Sequence, residues 1–378
     1  MDIEQRRWMQ GSGWEPSKCM LGRRAHLVLA FGSPEVLKNP QHLQDLRTAY
    51  PDAQLLGCST AGEICGTRVY DGSLVTTAIA FQSTRIKTAR VSIGESGESL
   101  QCGEQLAKLL EPRDLVHVLV ISDGVHVNGS ELVRGILKHL PDGVQVTGGL
   151  SGDGERFAHT FVFSNSEPME GCIAAVGFYG NRLRVGYGSL GGWDSFGPER
   201  LITRSKENVL FELDGQPALA LYKKYLGEHA AGLPATGLLF PLNVRMNGNE
   251  REFVRTLLSV NEGAQSMTFA GDMPQGSYAR LMKANFDRLV DGAQGAAKTS
   301  YEAIGSTSPE LAILISCVGR KLVLKQRTEE ELEAVRGVLG DKTVMAGFYS
   351  YGEICPAAPH AACQLHNQTM TITTFSES

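Results

Sequence analysis

The feature that most constrains this chain is a short loop sequence that occurs three times. GFYSYGEIC near the C-terminus repeats, at the same internal spacing, GCSTAGEIC near the N-terminus, and GLSGDGE lies between them. The shared glycines and glutamates are Gly57, Gly62 and Glu63; Gly149, Gly154 and Glu155; and Gly347, Gly352 and Glu353. Because glycine lets a backbone turn tightly and come close to a ligand, the repeat predicts recurring units that each present a hinged loop.

Each loop lies in the same sequence context. A β-branched-rich apolar segment lies upstream, a segment with one apolar helical face separates it from the loop, and a second strand-like segment follows. The upstream segments are 26–32, 115–124 and 311–319, and the downstream segments are 74–81, 172–180 and 368–375. The pattern predicts an α/β fold in which repeated β-α-β-loop-β units form mixed sheets flanked by helices, with the first two strands of each unit parallel.

The chain is long enough for two domains. Its 378 residues exceed the size of one ordinary core, and 42% hydrophobic with 20% charged residues is typical of a globular protein. Residues 191–308 fit the repeat less well than the rest. We therefore place a boundary near residue 210, which predicts an N-terminal extension (1–24), a first domain (25–210) and a second domain (211–378).

Charge and hydropathy limit the partners of the chain. A net charge of -5 gives no reason to expect a nucleic acid or an anionic membrane as partner. No apolar run approaches the roughly 18 residues that cross a bilayer, and the first residues lack the apolar core of a secretory signal. We expect a soluble, cytoplasmic protein that binds small molecules or proteins, and a homodimer is compatible with this composition.

The eight cysteines are spread singly, without a CxxC pair. This distribution is typical of reduced, buried thiols and gives no support for a disulfide framework or a zinc site. Cys65 and Cys355 differ from the others because each directly follows Gly-Glu-Ile in its repeat.

The Gly-Glu loops have two interpretations, which the sequence leaves open. In the first, they line a ligand pocket at the carboxyl ends of strands, with backbone N–H groups and carboxylates facing the ligand. The residues so predicted are Gly57, Glu63, Gly149, Asp153, Gly154, Gly347 and Glu353. In the second, they are tight turns in which the glutamate caps a neighbouring backbone N–H. No GxxxxGK[ST] pattern occurs, so phosphate transfer is not predicted.

A second candidate site is the segment ISDGVHVNGSEL. Asp123, His126, Asn128 and Ser130 place polar side chains between a predicted strand and the start of a helix, where an anion or a ligand carboxylate is stabilised. The alternative is a local role, with a turn at Asp123, a helix cap at Ser130 and an exposed His126.

Catalytic patterns are weak. Ser151 lies in GLSGDG, which lacks the GxSxG arrangement of a nucleophile elbow, and no histidine is tied to it by a motif. We therefore expect a non-enzyme, and a hydrolase or transferase that uses Ser151, Cys65 or Cys355 is the alternative from another functional class. His366, in LHNQTMTI, is either a metal or haem ligand or a satisfied core histidine.

Several segments taken together resemble the bacterial FIST proteins, named for F-box and intracellular signal transduction sensory domains. They are GCSTAGEI, VTGGLSGDG, GGWDSFGP, DGQPALALYKKYLG, FAGDMPQGS and GFYSYGEICP with LHNQT. The resemblance covers residues 25–375 and implies a FIST N-terminal domain followed by a FIST C-terminal domain.

The resemblance implies a sensory function. Chains made only of these two domains are similar to haem-binding nitric oxide sensors that regulate a partner histidine kinase, and through it biofilm and cyclic-di-GMP signalling. On that basis the cofactor is a non-covalent b-type haem, since CxxCH is absent, with His366 or His126 as candidate ligands. The alternative is a sensor of an amino acid or another small metabolite without haem.

Overall fold

The computed structural model describes residues 1–96, 98–246, 252–305, 308–356 and 361–377. Within these ranges the strands form three six-stranded sheets and one eight-stranded sheet. Each six-stranded sheet is centred on one of the predicted repeats, which we call unit 1 (27–80), unit 2 (115–179) and unit 3 (311–377).

Unit 1 is built around a parallel pair of strands. Its elements, with the strands that precede it, are β1 (Asp2–Met9), β2 (Gly13–Glu15), a 3-10 helix (Gly22–Arg24), β3 (Leu27–Gly32), α1 (Pro34–Leu37), α2 (Pro40–Ala49), β4 (Gln54–Ser59), β5 (Glu63–Cys65), β6 (Arg68–Tyr70) and β7 (Ser73–Ala80). The helix α2 begins where the Asn39 side chain accepts a hydrogen bond from the Gln41 N–H. β3 is parallel to β4, and β7 is antiparallel to β3 on its other side. β1 pairs along β7, so residues before 25 extend this sheet.

Unit 2 repeats this arrangement. Its elements, with those that precede it, are β8 (Arg85–Ser92), α3 (Ile93–Ser96), α4 (Ser99–Leu109), β9 (Leu115–Ser122), α5 (Gly129–Leu137), β10 (Gln145–Leu150), β11 (Val162–Ser164) and β12 (Cys172–Tyr179). β9 and β10 are parallel, and β12 is antiparallel to β9. The N-cap of α5 is Asn128, whose side chain accepts from two backbone N–H groups, and not the predicted Ser130.

Between units 2 and 3 the chain forms a separate β-domain (193–284). Its elements follow β13 (Leu183–Leu190) and are β14 (Trp193–Lys206), β15 (Val209–Leu213), β16 (Gln216–Pro217), α6 (Ala218–Leu226), two 3-10 helices (Gly227–Gly232 and Ala235–Leu239), β17 (Leu242–Arg245), β18 (Glu252–Arg255), β19 (Leu257–Asn261), β20 (Ser266–Phe269) and β21 (Tyr278–Ala284). The predicted boundary near residue 210 lies inside β15, within this domain.

Unit 3 has the same core topology as the other two. Its elements, with the preceding helix, are α7 (Phe286–Ala303), β22 (Leu311–Cys317), α8 (Val318–Leu324), a 3-10 helix (Lys325–Arg327), α9 (Thr328–Leu339), β23 (Val344–Ser350), β24 (Gly352–Pro356), β25 (Cys363–His366) and β26 (Met370–Glu377). β22 and β23 are parallel, β26 is antiparallel to β22, and β13 pairs along β26.

The three units exchange strands in a closed cycle. β5 of unit 1 pairs with β23 of unit 3, β24 of unit 3 pairs with β10 of unit 2, and β11 of unit 2 pairs with β4 of unit 1. All three pairings are antiparallel. Each unit therefore completes the sheet of a neighbour, and unit 3 joins the first two units although the β-domain separates it from them in sequence.

The sheets enclose a shared apolar interior. Side chains of the central strands of all three units meet there, among them Leu29, Phe31, Leu119, Ile121, Ile313 and Ile315, all at most 1% exposed. Helices cover the outer faces, and a separate cluster of buried side chains forms the core of the β-domain. The predicted α/β fold, with repeated β-α-β units in mixed sheets flanked by helices, is confirmed.

Candidate functional site

The connections after β4, β10 and β23 form three equivalent bends. We call them bend 1 (59–63), bend 2 (150–154) and bend 3 (349–353). Each bend donates a backbone hydrogen bond to another: Ala61 N–H to the Tyr349 carbonyl at 2.9 Å, Gly152 to Ser59 at 3.0 Å, and Tyr351 to Leu150 at 3.1 Å. The bends therefore meet one another around a common centre.

The register of unit 2 differs from the sequence prediction by one residue. Gly57 and Gly347 lie opposite Ala30 and Leu314 in the parallel pairs, and an added Cβ would lie within 2.0 Å of the carbonyl oxygen of that partner. The glycine with this contact in unit 2 is Gly148 and not the predicted Gly149. Two consecutive glycines satisfy the spacing pattern equally well, and the close approach to a strand carbonyl selects the first of them.

The Gly-Glu carboxylate of bend 1 is buried and caps the end of β7. Glu63 is 1% exposed and accepts hydrogen bonds from the Thr60 hydroxyl at 2.5 Å and from the Ser73 N–H and hydroxyl at 3.2 and 2.6 Å. Burial raises the pKa of Glu63 to about 7, because the loss of hydration destabilises the charged form by more than these hydrogen bonds stabilise it.

Bend 3 has the same framework. Glu353 is fully buried and accepts from the Ser350 hydroxyl at 2.8 Å and from the Thr369 N–H and hydroxyl at 3.1 and 2.9 Å. Burial raises its pKa to about 8. The interpretation of the glutamates as caps therefore describes the contacts of both residues.

Unit 2 performs the same capping with a different residue. Glu155 is exposed, and Asp123 at the end of β9 takes over: its carboxylate accepts from the Gly171 N–H at 2.9 Å and from the Val125 and His126 N–H groups at 2.8 and 2.7 Å. Asp123 is fully buried.

A cleft of about 560 Å³ opens beside bend 1 and is lined by residues of all three units. Unit 1 contributes the residues after β3, bend 1 and the turn before β7; unit 2 contributes 153–156; and unit 3 contributes α8 and Lys325. Among the lining residues, Glu63, Asp153 and Gly154 are predicted site residues.

The cleft carries charges of both signs. Lys321 donates to the Ala61 carbonyl at 2.8 Å and forms an ion pair with Asp71 across the opening. Arg156 pairs with Glu35 at 2.5 Å and so joins unit 2 to unit 1. Lys325 also lines the cleft.

Comparison with protein families identifies the chain. The family model described as the FIST N domain matches residues 26–216, and the model described as the FIST C domain matches residues 218–356. This chain belongs to the FIST family. FIST domains are sensory domains of signal transduction that bind small ligands.

One relative and two solved structures align over most of the chain. An uncharacterised protein of Methanocaldococcus jannaschii is 24% identical over 348 residues, which cover 84% of this chain and 65% of that protein, so the chain spans about two thirds of its length. A cyanuric acid hydrolase from A. caulinodans aligns with 9% identity and a TM-score of 0.38 over 99% of each chain. A chorismatase aligns with 10% identity and a TM-score of 0.35 over 99% of this chain and 98% of its own. TM-scores at this level carry no argument about fold or activity.

The other predicted residues of the Gly-Glu loops lie away from the cleft. Gly57, Gly149 and Gly347 are buried within strands, where their lack of a side chain permits close packing. Glu353 lines neither this cleft nor the second cavity described below. Among the three bends, bend 1 is therefore the one that the cleft opens beside.

The Asp123 segment faces a different cavity. His126 and Asn128 line a space of about 220 Å³ between unit 2 and the β-domain, together with Tyr351 of bend 3. The Asn128 side chain donates to Asp272 of the β-domain at 3.1 Å, so this segment is part of the contact between the two bodies.

Neither candidate haem ligand lies in an environment that fits haem. A ring nitrogen of His366 is 2.9 Å from the Cys355 carbonyl, and burial lowers the pKa of this histidine to about 4. His126 is partly exposed and bonded to Asp123, and its 220 Å³ cavity is below the roughly 300 Å³ of small-ligand sites. The described lining of the larger cleft contains no histidine, cysteine, methionine or tyrosine to ligate iron. Support for haem therefore comes from the family resemblance and not from the surroundings of these residues.

The surroundings of the three candidate nucleophiles do not favour their activation. The Ser151 hydroxyl is buried and donates to the Ser122 carbonyl at 3.0 Å. Burial raises the pKa of the Cys65 and Cys355 thiols, which disfavours the reactive thiolate. In the described ranges, three or more His, Cys, Asp or Glu side chains are nowhere grouped to hold a metal ion. None of the described helices combines the length and apolar character that crossing a membrane requires.

Sequence reasoning missed Ser33, Lys321 and Lys325, which line the cleft. Each of them follows the upstream strand of its unit. The carboxyl ends of parallel strands meet at one edge of a sheet, so the segments after 26–32 and 311–319 were candidates for the same reason as the Asp123 segment.

Proposed function

We propose that this FIST protein is a non-catalytic sensor and that the cleft beside bend 1 is its ligand site. The observation that carries the proposal is the position of the cleft, where residues of all three units converge. A ligand bound there contacts every unit, so it has different affinities for arrangements in which the units sit differently. That difference is what a ligand needs in order to shift a conformational equilibrium.

The ligand class that fits is a small zwitterion such as an amino acid. The volume of about 560 Å³ lies within the roughly 300–1,000 Å³ range of small-molecule sites. Lys325 offers a cation for a carboxylate, and Glu63 offers a carboxyl group for an amine. The hydrogen bond of the Ser151 hydroxyl and the raised pKa values of the Cys65 and Cys355 thiols support a binding function over a nucleophilic one.

Haem, nitric oxide and a partner histidine kinase stay predictions that rest on the family resemblance. A spectroscopic titration tests them directly: a saturable one-to-one Soret band on adding haem, altered by nitric oxide, would favour that version. A soluble histidine kinase assay with and without this protein tests the partner.

Thermal unfolding with each of the twenty standard amino acids tests the proposal. At least one should stabilise the fold, by about 2.7 kcal/mol at a hundredfold excess over its dissociation constant, and its N-acetyl derivative should not. Lys325→Gln should weaken this effect. Lys342→Gln should leave it unchanged, because Lys342 is exposed and lies just before the start of β23, at the end of that strand away from bend 3. Stabilisation by haem with no effect of any amino acid would contradict the proposal.

A further inference from the structure

Two acceptor groups line the cleft, the Ser33 hydroxyl and the Glu63 carboxyl. Ser33 is 8% exposed, and its hydroxyl is a buried polar group without a hydrogen-bond partner in the described residues. Its N–H donates to the Ser73 carbonyl at 3.0 Å, and the Ser73 hydroxyl donates to Glu63 at 2.6 Å. Ser33 and Glu63 are thus joined through one residue, and both line the cleft.

Both groups have capacity left for a hydrogen bond from a ligand. A carboxylate accepts about four hydrogen bonds, and Glu63 receives three from Thr60 and Ser73. The Ser33 hydroxyl has two lone pairs with no donor among the described residues. A buried polar group without a partner costs free energy, so a ligand that donates hydrogen bonds to the Ser33 hydroxyl and the Glu63 carboxyl would be stabilised here.

The charges that face Glu63 favour a positive donor. Asp71, on the turn before β7, adds a negative charge and contributes to the raised pKa of Glu63. Lys321, from α8, is the nearby cation, and its ammonium is already bound to Ala61 and Asp71. From β4, the Cys58 thiol is neutral because burial raises its pKa. Thr60 and Ser73 contribute uncharged donors.

We propose that the ligand of the cleft binds through a protonated amine placed over Glu63 and Ser33, and that binding drives the proton of the Glu63 carboxyl into the solvent. The amine keeps its three protons and a protonated carboxyl becomes a carboxylate, so up to one proton passes to the buffer for each molecule bound. The inference deepens the proposed function and uses the same site.

The pH dependence follows from the sign of the coupling. An adjacent ammonium favours the carboxylate form and lowers the pKa of Glu63 from its free value of about 7. Below pH 7 the free protein holds the proton that binding must release, so affinity rises with pH and levels off above pH 7. Proton release falls toward zero over the same range.

Glu353 is an internal control. It has the same three donors and a pKa of about 8, but lines neither cavity. Its neighbour Gln368 corresponds to Gly72, since Glu353 pairs with His366 as Glu63 pairs with Tyr70. The Gln368 side chain packs against Gly319 and donates to the Leu238 carbonyl at 3.1 Å, and so fills the position that is open at Gly72.

The test measures the pKa of both glutamates in the full-length protein by NMR with ¹³C-labelled glutamate. Methylammonium chloride is the probe, sodium chloride at the same ionic strength is the control, and Glu63→Gln and Glu353→Gln assign the two resonances. Saturating methylammonium should lower the pKa of Glu63 by about 1 unit or more and leave that of Glu353 in place. An unchanged pKa of Glu63, or an equal change in both, would overturn the inference.

Calorimetry separates this inference from the proposed function. For any amino acid that stabilises the protein, titrations at pH 6.0 in buffers of different ionisation enthalpy should give release of about 0.4 proton if the pKa of Glu63 falls by one unit and about 0.8 proton if it falls by two, and almost none at pH 8.5. Binding without proton release would overturn the inference and leave the sensor function intact. Conversely, a response of Glu63 to methylammonium with no amino acid bound would support the amine site and count against the amino-acid ligand.

Discussion

Bend 1 and bend 3 have the same polar framework and opposite surroundings. In both, a buried glutamate accepts from a hydroxyl three residues earlier and from the N–H and hydroxyl of the residue that begins or precedes the last strand of the unit. At bend 1 the adjoining left-handed position is Gly72, with φ of +68° and open space around it. At bend 3 it is Gln368, with φ of +65° and a side chain that fills the space.

The comparison separates the structural role of the repeat from its ligand role. A buried carboxylate is needed wherever a strand crosses from one unit to the next, because the buried N–H of the last strand requires an acceptor. Glu63 and Glu353 supply it in units 1 and 3, and Asp123 supplies it in unit 2. A cleft forms only where the neighbouring side chain is absent. The repeat therefore marks three crossings, and Gly72 marks the one that is open.

The largest effect on stability should come from the strand glycines that precede bends 1 and 3. Gly57→Ala and Gly347→Ala place a methyl group within 2.0 Å of a strand carbonyl, and each should lower the free energy of unfolding by about 3 kcal/mol or more. Gly337→Ala, in α9 with no atom within 4 Å of the added group, should be neutral or stabilising by up to about 1 kcal/mol. Urea unfolding measures all three. A small loss of unfolding free energy in Gly347→Ala beside a large one in Gly57→Ala would contradict the equivalence of bends 1 and 3.

Removing the two carboxyl groups should give unequal losses. Glu353→Ala leaves three buried donors without an acceptor and should cost about 3 kcal/mol of unfolding free energy. Glu63→Ala should cost about 1 kcal/mol, because water enters from the cleft and accepts from the same donors. Glu155→Ala, at an exposed position, should stay within about 0.5 kcal/mol of the wild type. Equal losses at Glu63 and Glu353 would argue against an open bend 1.

The two glutamates should also give the fold a shared loss of stability at rising pH. Their pKa values of about 7 and about 8 are raised above the usual 4.5, so folding takes up protons, and stability falls as pH rises through this interval by at most about 1.4 kcal/mol per unit for each group. Glu353→Gln should abolish the loss between pH 7 and 8, and Glu63→Gln should not. Between about pH 4.5 and 6.5, His117 and His366 oppose this trend and nearly cancel it, since burial lowers their pKa to about 3 and about 4.

The smallest change in stability should have the clearest effect on binding. Gly72→Gln introduces at bend 1 the side chain that fills bend 3, and should cost about 1 kcal/mol for the left-handed backbone while removing stabilisation by the amino acid. Gly66→Gln is the matched control, because Gly66 also has a left-handed backbone (φ +61°) with open space and lies outside the cleft lining. Retained binding in Gly72→Gln would place the ligand elsewhere.

The sequence determined the unit and left its assembly open. Apolar periodicity around Leu27–Gly32 and its two counterparts predicted strands, helices and parallel pairing, because these depend on residues near in sequence. The strand exchange depends on which edge accepts β5, and a three-residue strand such as Glu63–Cys65 has no sequence signal for its partner. The order of the sheets was therefore beyond prediction.

The candidate site was predicted in part for a similar reason. Glu63, Asp153 and Gly154 belong to the repeat and were found by its spacing. Ser33 and Lys321 belong to no repeated motif; they follow the upstream strands of units 1 and 3, and they meet at the cleft because the three units converge. Conversely, Glu155 matches the spacing and is exposed, since the double glycine at 148–149 allows two registers and the fold uses the other.

The cyclic exchange of strands also sets the order in which the protein is completed during synthesis. Residues 63–65 leave the ribosome early, but the strand they pair with, Val344–Ser350, emerges some 280 residues later. Until then the first sheet-crossing segment pairs only with β6, and contacts of such long sequence separation form slowly. The nascent N-terminal half should therefore wait, with an unsatisfied sheet edge, for the last part of the chain, and it depends on chaperones more than its own size would require.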